Sequence, residues 1–115
     1  MSLDSIAKQK SMVFAKRIVR LYQYLSQEHR ETIMSKQILR SGTSIGSNIA
    51  EAIYGSSKKD FSNKLCIALK EAAETLYWLE LIHSGGYLSN ELYRSLFRDC
   101  EELRRILSAT VKSCG

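Results

Sequence analysis

Glu80 and His83 stand three residues apart, the Glu-x-x-His spacing by which helical bundles hold paired iron or manganese ions. Such a centre requires a second copy of the motif and two further carboxylates. His29 is the only other histidine, and it sits in the polar stretch Glu28-His29-Arg30-Glu31 without that spacing. No metal site is expected, and His83 reads as a residue close to a helix end. Gly42 and Gly46 lack the lysine that a P-loop places after its second glycine, Ser47 standing there instead. Cys66, Cys100 and Cys114 are odd in number and form no Cys-x-x-Cys pair, so they are expected to be three reduced thiols in a cytoplasmic protein, acting as small buried hydrophobes. No pairing of nucleophile with base stands out. Enzymatic chemistry, a cofactor and a small-molecule substrate are therefore not expected.

Charge is the stronger chemical signal. Seventeen Lys and Arg against twelve Asp and Glu give a net charge of +5 and a pI near 9.2, a bias toward polyanionic partners rather than a statement about fold. Lys10, Lys16, Arg17 and Arg20 occupy the polar half of the first helical segment with no acid among them. Lys58 and Lys59 fall in the first turn of the third. Cations there oppose the helix dipole, while a helix N-terminus with two added ammonium groups suits a phosphate. These six side chains are the candidate nucleic-acid contacts, for RNA or DNA. No aromatic-interleaved or RNP-like motif accompanies them, so a protein-interaction scaffold without nucleic acid stays open as the alternative.

The elements that must position these residues are helical. The 115 residues make a single domain, 1–115, and contain no proline where average usage of about 5% would give roughly six. The 44% hydrophobic and 25% charged content is that of a soluble globular chain. Apolar residues recur at helical spacing in four segments. The first, about Ser5 to Gln27, carries Phe14, Ile18, Leu21, Tyr22 and Leu25, with Asp4 or Ser5 as cap. The second, roughly Thr32 to Tyr54, carries Met34, Ile38, Ile45, Ile49 and Ala52, and Gly55 is expected as its left-handed terminator. Ser57-Lys58-Lys59-Asp60 reads as a variant capping box before Phe61, Leu65, Ala68, Leu69, Ala72, Leu76 and Leu79, a run ended by Gly85-Gly86. Ser89 caps the fourth, which is expected to bury Leu92, Leu96, Cys100, Leu103, Leu107 and Val111, with Arg94, Arg98, Arg105 and Lys112 opposite and Arg98–Glu102 and Glu101–Arg105 pairs along it. Short breaks between long helices predict an all-α, antiparallel up-and-down four-helix bundle. The longest runs free of charge are ten residues, half of a membrane span, and Lys8, Lys10, Lys16, Arg17 and Arg20 leave no apolar core for a secretory signal. A cytoplasmic, membrane-free protein is expected.

Two features go beyond a plain bundle. Two glycines inside the second helix cost about 1 kcal/mol each relative to alanine, so Gly42 and Gly46 imply a helix packed closely against them. Around them Arg40, Ser44, Ser47 and Glu51 share one side and Asn48 flanks the stripe. Arg40, Ser44, Asn48 and Glu51 read as a structural polar seam in preference to a ligand or RNA site. The second feature is surplus apolar surface: Ile67, Tyr77, Trp78 and Leu81 on the third helix, with Ile6, Val13 and Tyr24 on the first. Such faces on a small chain mark an interface, and the expected partner is a second copy of the chain.

The string Leu39-Arg40-Ser41-Gly42-Thr43-Ser44-Ile45-Gly46-Ser47-Asn48-Ile49-Ala50-Glu51-Ala52 is the most distinctive in the chain. Together with Ser57-Lys58-Lys59-Asp60-Phe61, Ala68-Leu69-Lys70-Glu71-Ala72 and Glu74-Thr75-Leu76-Tyr77-Trp78-Leu79, it resembles the bacterial four helix bundle protein family. That family is also called the 23S rRNA intervening-sequence protein family, because some members are encoded in insertions within 23S rRNA genes, and some carry a ribosomal-protein label. The resemblance spans nearly the whole chain. It implies a ring-like homopentamer of four-helix bundles without enzymatic activity, similar to the nucleic-acid-binding accessory protein of diversity-generating retroelements. Family members often place a glycine directly after Asn-Ile-Ala-Glu, where this chain has Ala52 and keeps its glycine at Gly55.

Overall fold

The computed structural model describes residues 3–55, 57–111 and 113–114, with side chains from Ile6 onward. Four helices make up its regular structure: α1 (Leu3–Glu28), α2 (Met34–Ile53), α3 (Lys58–Ser84) and α4 (Asn90–Thr110). No strand occurs among the described residues. Each helix packs on two others, α1 on α2 and α4, α3 on α2 and α4, so that the four surround one core. The helical stripes supply that core: Phe14, Ile18, Leu21 and Leu25 from α1, Ile38, Ile45 and Ile49 from α2, Leu65, Ala68, Ala72 and Leu79 from α3, and Leu96, Cys100, Leu103 and Leu107 from α4.

Local chemistry sets the helix ends. The Ser57 hydroxyl accepts the Asp60 N–H at 3.0 Å and the Ser89 hydroxyl accepts the Leu92 N–H at 3.1 Å, satisfying N–H groups that the first turn leaves free. α2 begins at Met34 rather than Thr32, with Ile33 as its N-cap residue; Glu31, two residues earlier, accepts the Ser35 N–H at 2.8 Å, after Arg30 turns the chain at φ 53. Gly86 ends α3 in the left-handed region, at φ 85. Gly55 is not left-handed, contrary to expectation; it is small because a Cβ there would lie 2.5 Å from the Asp60 carboxylate. α1 is already helical at Leu3. The Asp4 and Ser5 side chains and Lys112 lie outside the described residues.

The two glycines of α2 face α1. A Cβ at Gly42 would stand 2.9 Å from both γ-carbons of Ile18, and one at Gly46 would stand 3.2 Å from the Ser11 hydroxyl. Close packing of α1 is therefore what offsets their helix-propensity cost. Two other expectations give way. Leu92 is exposed, since it lines an open groove between α1 and α4 with Leu21, Tyr24 and Leu96. Val111, only half-buried, adopts an extended conformation past the end of α4.

That extended exit also corrects the thiol reading. It brings the chain back along α3, where Cys114 is disulfide-bonded to Cys66 with Cα atoms 5.5 Å apart. Cys100 alone is free. It is buried, donates to the Ala72 carbonyl at 3.5 Å, and has its thiol pKa pushed up to about 12, chiefly by burial and next by the neighbouring Glu101 charge.

Candidate nucleic-acid interface

The six candidate cations divide into two groups. α4 supplies acids that α1 does not place among its cations: Lys10 pairs with Glu102 at 2.9 Å, and Arg17 pairs with Asp99 at 2.6 Å. Pairs this accessible contribute roughly 0 to 1 kcal/mol, but they cancel the local positive potential. Lys16, Arg20, Lys58 and Lys59 are exposed and carry no ion pair among the described residues. The expected Arg98–Glu102 pair is absent among those residues, Glu102 being engaged by Lys10. Glu101 instead binds Arg104 and reaches Arg105 at 3.5 Å, and hydrogen bonds from Arg104 hold its carboxyl below the usual range.

One end of the molecule carries a contact absent from the sequence reading. Lys8 donates to the Tyr54 hydroxyl at 2.9 Å, with its ammonium 5.1 Å from the ring centre. This cation lowers the Tyr54 phenol pKa below its ordinary 10, first by the hydrogen bond and then by charge. Tyr54 is the C-cap of α2. Gly55, packed on Asp60, joins it to the first turn of α3, where Lys58 and Lys59 lie. An aromatic at the last position of a helical run, outside the apolar stripe, is the signal that marks Tyr54 in the sequence.

The polar seam lies between α2 and α3, with partners the sequence did not name. Arg40 spans Glu71, at 2.9 Å, and Glu74; Glu51 meets Lys64 at 3.1 Å. Glu74 also accepts the Trp78 indole N–H at 3.0 Å, and these donors, Trp78 first and Arg40 second, depress its carboxyl pKa. Ser44 and Asn48 do not cross the seam through these bonds: Ser44 donates to the Arg40 carbonyl at 2.6 Å, and Asn48 to the Ser44 carbonyl at 2.8 Å. The buried polar contact between the helices is Thr75 with Ser41, 2.9 Å apart.

The surplus apolar residues are also divided. Ile67, Tyr77 and Leu81 are exposed on α3. Trp78 is half-buried against the protein's own core and meets the Tyr77 ring edge-on at 5.1 Å. Ile6 and Val13 line a groove of about 510 Å³ beside Lys10, Phe14, Asp99 and Glu102, while the Tyr24 hydroxyl lies 2.9 Å from His29. His83 stacks on Tyr93 at 4.0 Å with its Nε2 2.7 Å from Asn90. No group of three potential metal ligands occurs among the described residues, and none of the described helices is long and apolar enough to cross a membrane.

Four helices around one apolar core, with a basic surface, define a small all-α protein. The chain belongs to the 23S rRNA-intervening sequence protein family, which it matches over residues 4–109. It is also similar, with a TM-score of 0.94 and 52% identity over 97% of this chain and 100% of the other, to a crystallised protein of unknown function from the S23 ribosomal protein family of Bacteroides thetaiotaomicron VPI-5482. No curated protein matches the chain. Neither description names a catalytic activity.

Proposed function

We propose that the protein is a non-catalytic homo-oligomer that binds RNA or other nucleic acid through Lys16, Arg20, Lys58 and Lys59. The observation that carries this reading is the exposure of these four cations without an ion pair among the described residues, beside the neutralised Lys10 and Arg17. The protomer is an antiparallel up-and-down bundle. Supporting this, contacts run in opposed chain order: Ser11 and Ile18 approach Gly46 and Gly42, Arg40 and Glu51 meet Glu71 and Lys64, and Lys10 and Arg17 meet Glu102 and Asp99. Ile67, Tyr77 and Leu81 favour self-association, in a ring-like pentamer. Repetition around a ring turns a weak cationic patch into a useful one, because linked sites raise avidity without new contacts.

A cytoplasmic place of action accords with the ribosomal-protein label of the similar structure; the Cys66–Cys114 disulfide is then a bridge of a kind rare in that compartment. Binding of labelled RNA by wild type and by the Lys58→Glu, Lys59→Glu double variant tests the proposal, with light scattering on both to follow the oligomer. The reversal is expected to weaken binding and leave the oligomer intact. Equal binding by both proteins would reduce the positive charge to a solubility feature and leave the scaffold reading, for which Ile67, Tyr77 and Leu81 provide the surface.

A further inference from the structure

We propose that Tyr54 is a base-stacking platform, and that the nucleic acid bound at this end of the molecule is single-stranded. The inference rests on the reading that the unpaired cations bind nucleic acid, and it names which form. Tyr54 is 76% exposed, so its ring does not serve the core. It is nonetheless held in place. Its N–H donates to the Ala50 carbonyl at 3.2 Å and its hydroxyl accepts from Lys8 at 2.9 Å, so the ring is fixed both at its backbone and at its tip. A ring ordered in advance loses little conformational freedom when a base lies on it.

The surroundings supply what a nucleotide brings besides its base. Lys8 spends one of its three N–H donors on the phenol and has no carboxylate partner among the described residues. Gly55 keeps the connection to α3 tight, because a side chain there would collide with Asp60. Lys58 and Lys59, both exposed, therefore follow the platform within five residues. An aromatic face with cations along the backbone track is the combination by which single strands are held without sequence preference. A duplex keeps its bases stacked on one another and offers the ring no face.

The test uses the full-length protein and an oligonucleotide carrying 2-aminopurine, alone and annealed to its complement. Wild type, Tyr54→Ala, Tyr54→Phe and the Lys58→Glu, Lys59→Glu variant are compared, with circular dichroism as the folding check. Removing one stacked base contact is expected to weaken single-strand binding roughly 5- to 150-fold and to abolish the quenching of 2-aminopurine that wild type produces. Tyr54→Phe keeps the ring and should retain most of both signals, and duplex binding should be the same in wild type and both Tyr54 variants. The platform is overturned if Tyr54→Ala binds the single strand as well as wild type, or loses single strand and duplex equally, while charge reversal still weakens both. If wild type binds neither form, the charge-based reading fails along with it.

Discussion

Alanine at Gly42 and at Gly46 should move stability in opposite directions. Both sites are helical, so each substitution gains about 1 kcal/mol of intrinsic propensity. The surroundings differ. At Gly42 the new methyl would lie 2.9 Å from two carbons of Ile18, a residue with no solvent exposure and no room to retreat, and overpacking of this kind costs about 1 to 3 kcal/mol. At Gly46 the nearest atom is the Ser11 hydroxyl at 3.2 Å, a tight contact that a shift of a few tenths of an ångström relieves. Gly42→Ala is therefore expected to destabilise by about 0 to 2 kcal/mol, and Gly46→Ala to stabilise by up to about 1 kcal/mol. Thermal or urea unfolding reads both, at about 4 °C per kcal/mol for a chain of this size. In an Ile18→Ala background, which removes the carbons in question, the penalty at Gly42 should vanish, giving a coupling of about 1 to 3 kcal/mol in the double-mutant cycle. If Gly42→Ala stabilises as much as Gly46→Ala, or shows no coupling to Ile18, close approach of α1 is not what the glycine is for.

Three further outcomes are expected. Cys66→Ser removes a crosslink between residues 48 apart and should lower the stability of oxidised protein by up to about 4 kcal/mol on the chain-entropy estimate, with no effect under reducing conditions; equal stability of wild type with and without reductant would contradict the intramolecular bridge. Thiol alkylation of native, reduced protein should label Cys66 and Cys114 and spare Cys100, whose burial pushes its pKa up to about 12, until the chain is unfolded; rapid labelling of Cys100 would contradict its burial. Trp78, the single tryptophan, reports on Glu74. A carboxylate with a depressed folded pKa contributes stability above its unfolded value and loses it as pH falls through the folded one. The midpoint of the Trp78 fluorescence change should thus lie below the ordinary carboxyl value of 4.5, with Arg40→Ala moving it upward; a wild-type midpoint at or above 4.5 would contradict the contact.

What the sequence disclosed and what it withheld follow from the range of the interactions. The stripes Phe14-Ile18-Leu21-Leu25 and Leu96-Cys100-Leu103-Leu107, the caps Ser57 and Ser89 and the Gly85-Gly86 stop depend on residues within a turn or two of one another, and periodicity encodes them. The acids Glu102 and Asp99 opposite Lys10 and Arg17, and Glu71 and Glu74 opposite Arg40, come from other helices. Choosing them requires the rotation and register of one helix against another, which no single-helix pattern contains. The same holds for Ser41 with Thr75, and for Cys66 with Cys114, where the extended Val111 at the exit from α4 precedes the pairing. Leu92 misled because its spacing suits the stripe while its position faces the open α1–α4 groove. The unpaired cations became distinguishable from the paired ones only when α4 was in place.

If the unpaired cations bind a polyanion, RNA binding must depend steeply on salt. Counterion release makes log K fall linearly with log salt, by about 0.7 per phosphate neutralised on a single strand. Wild type should show such a line. Reversing Lys58 and Lys59 should flatten its slope by about 1.4 per protomer engaged, the contribution of two phosphates. No binding by wild type at about 50 mM salt, or an unchanged slope after the reversal, would contradict it.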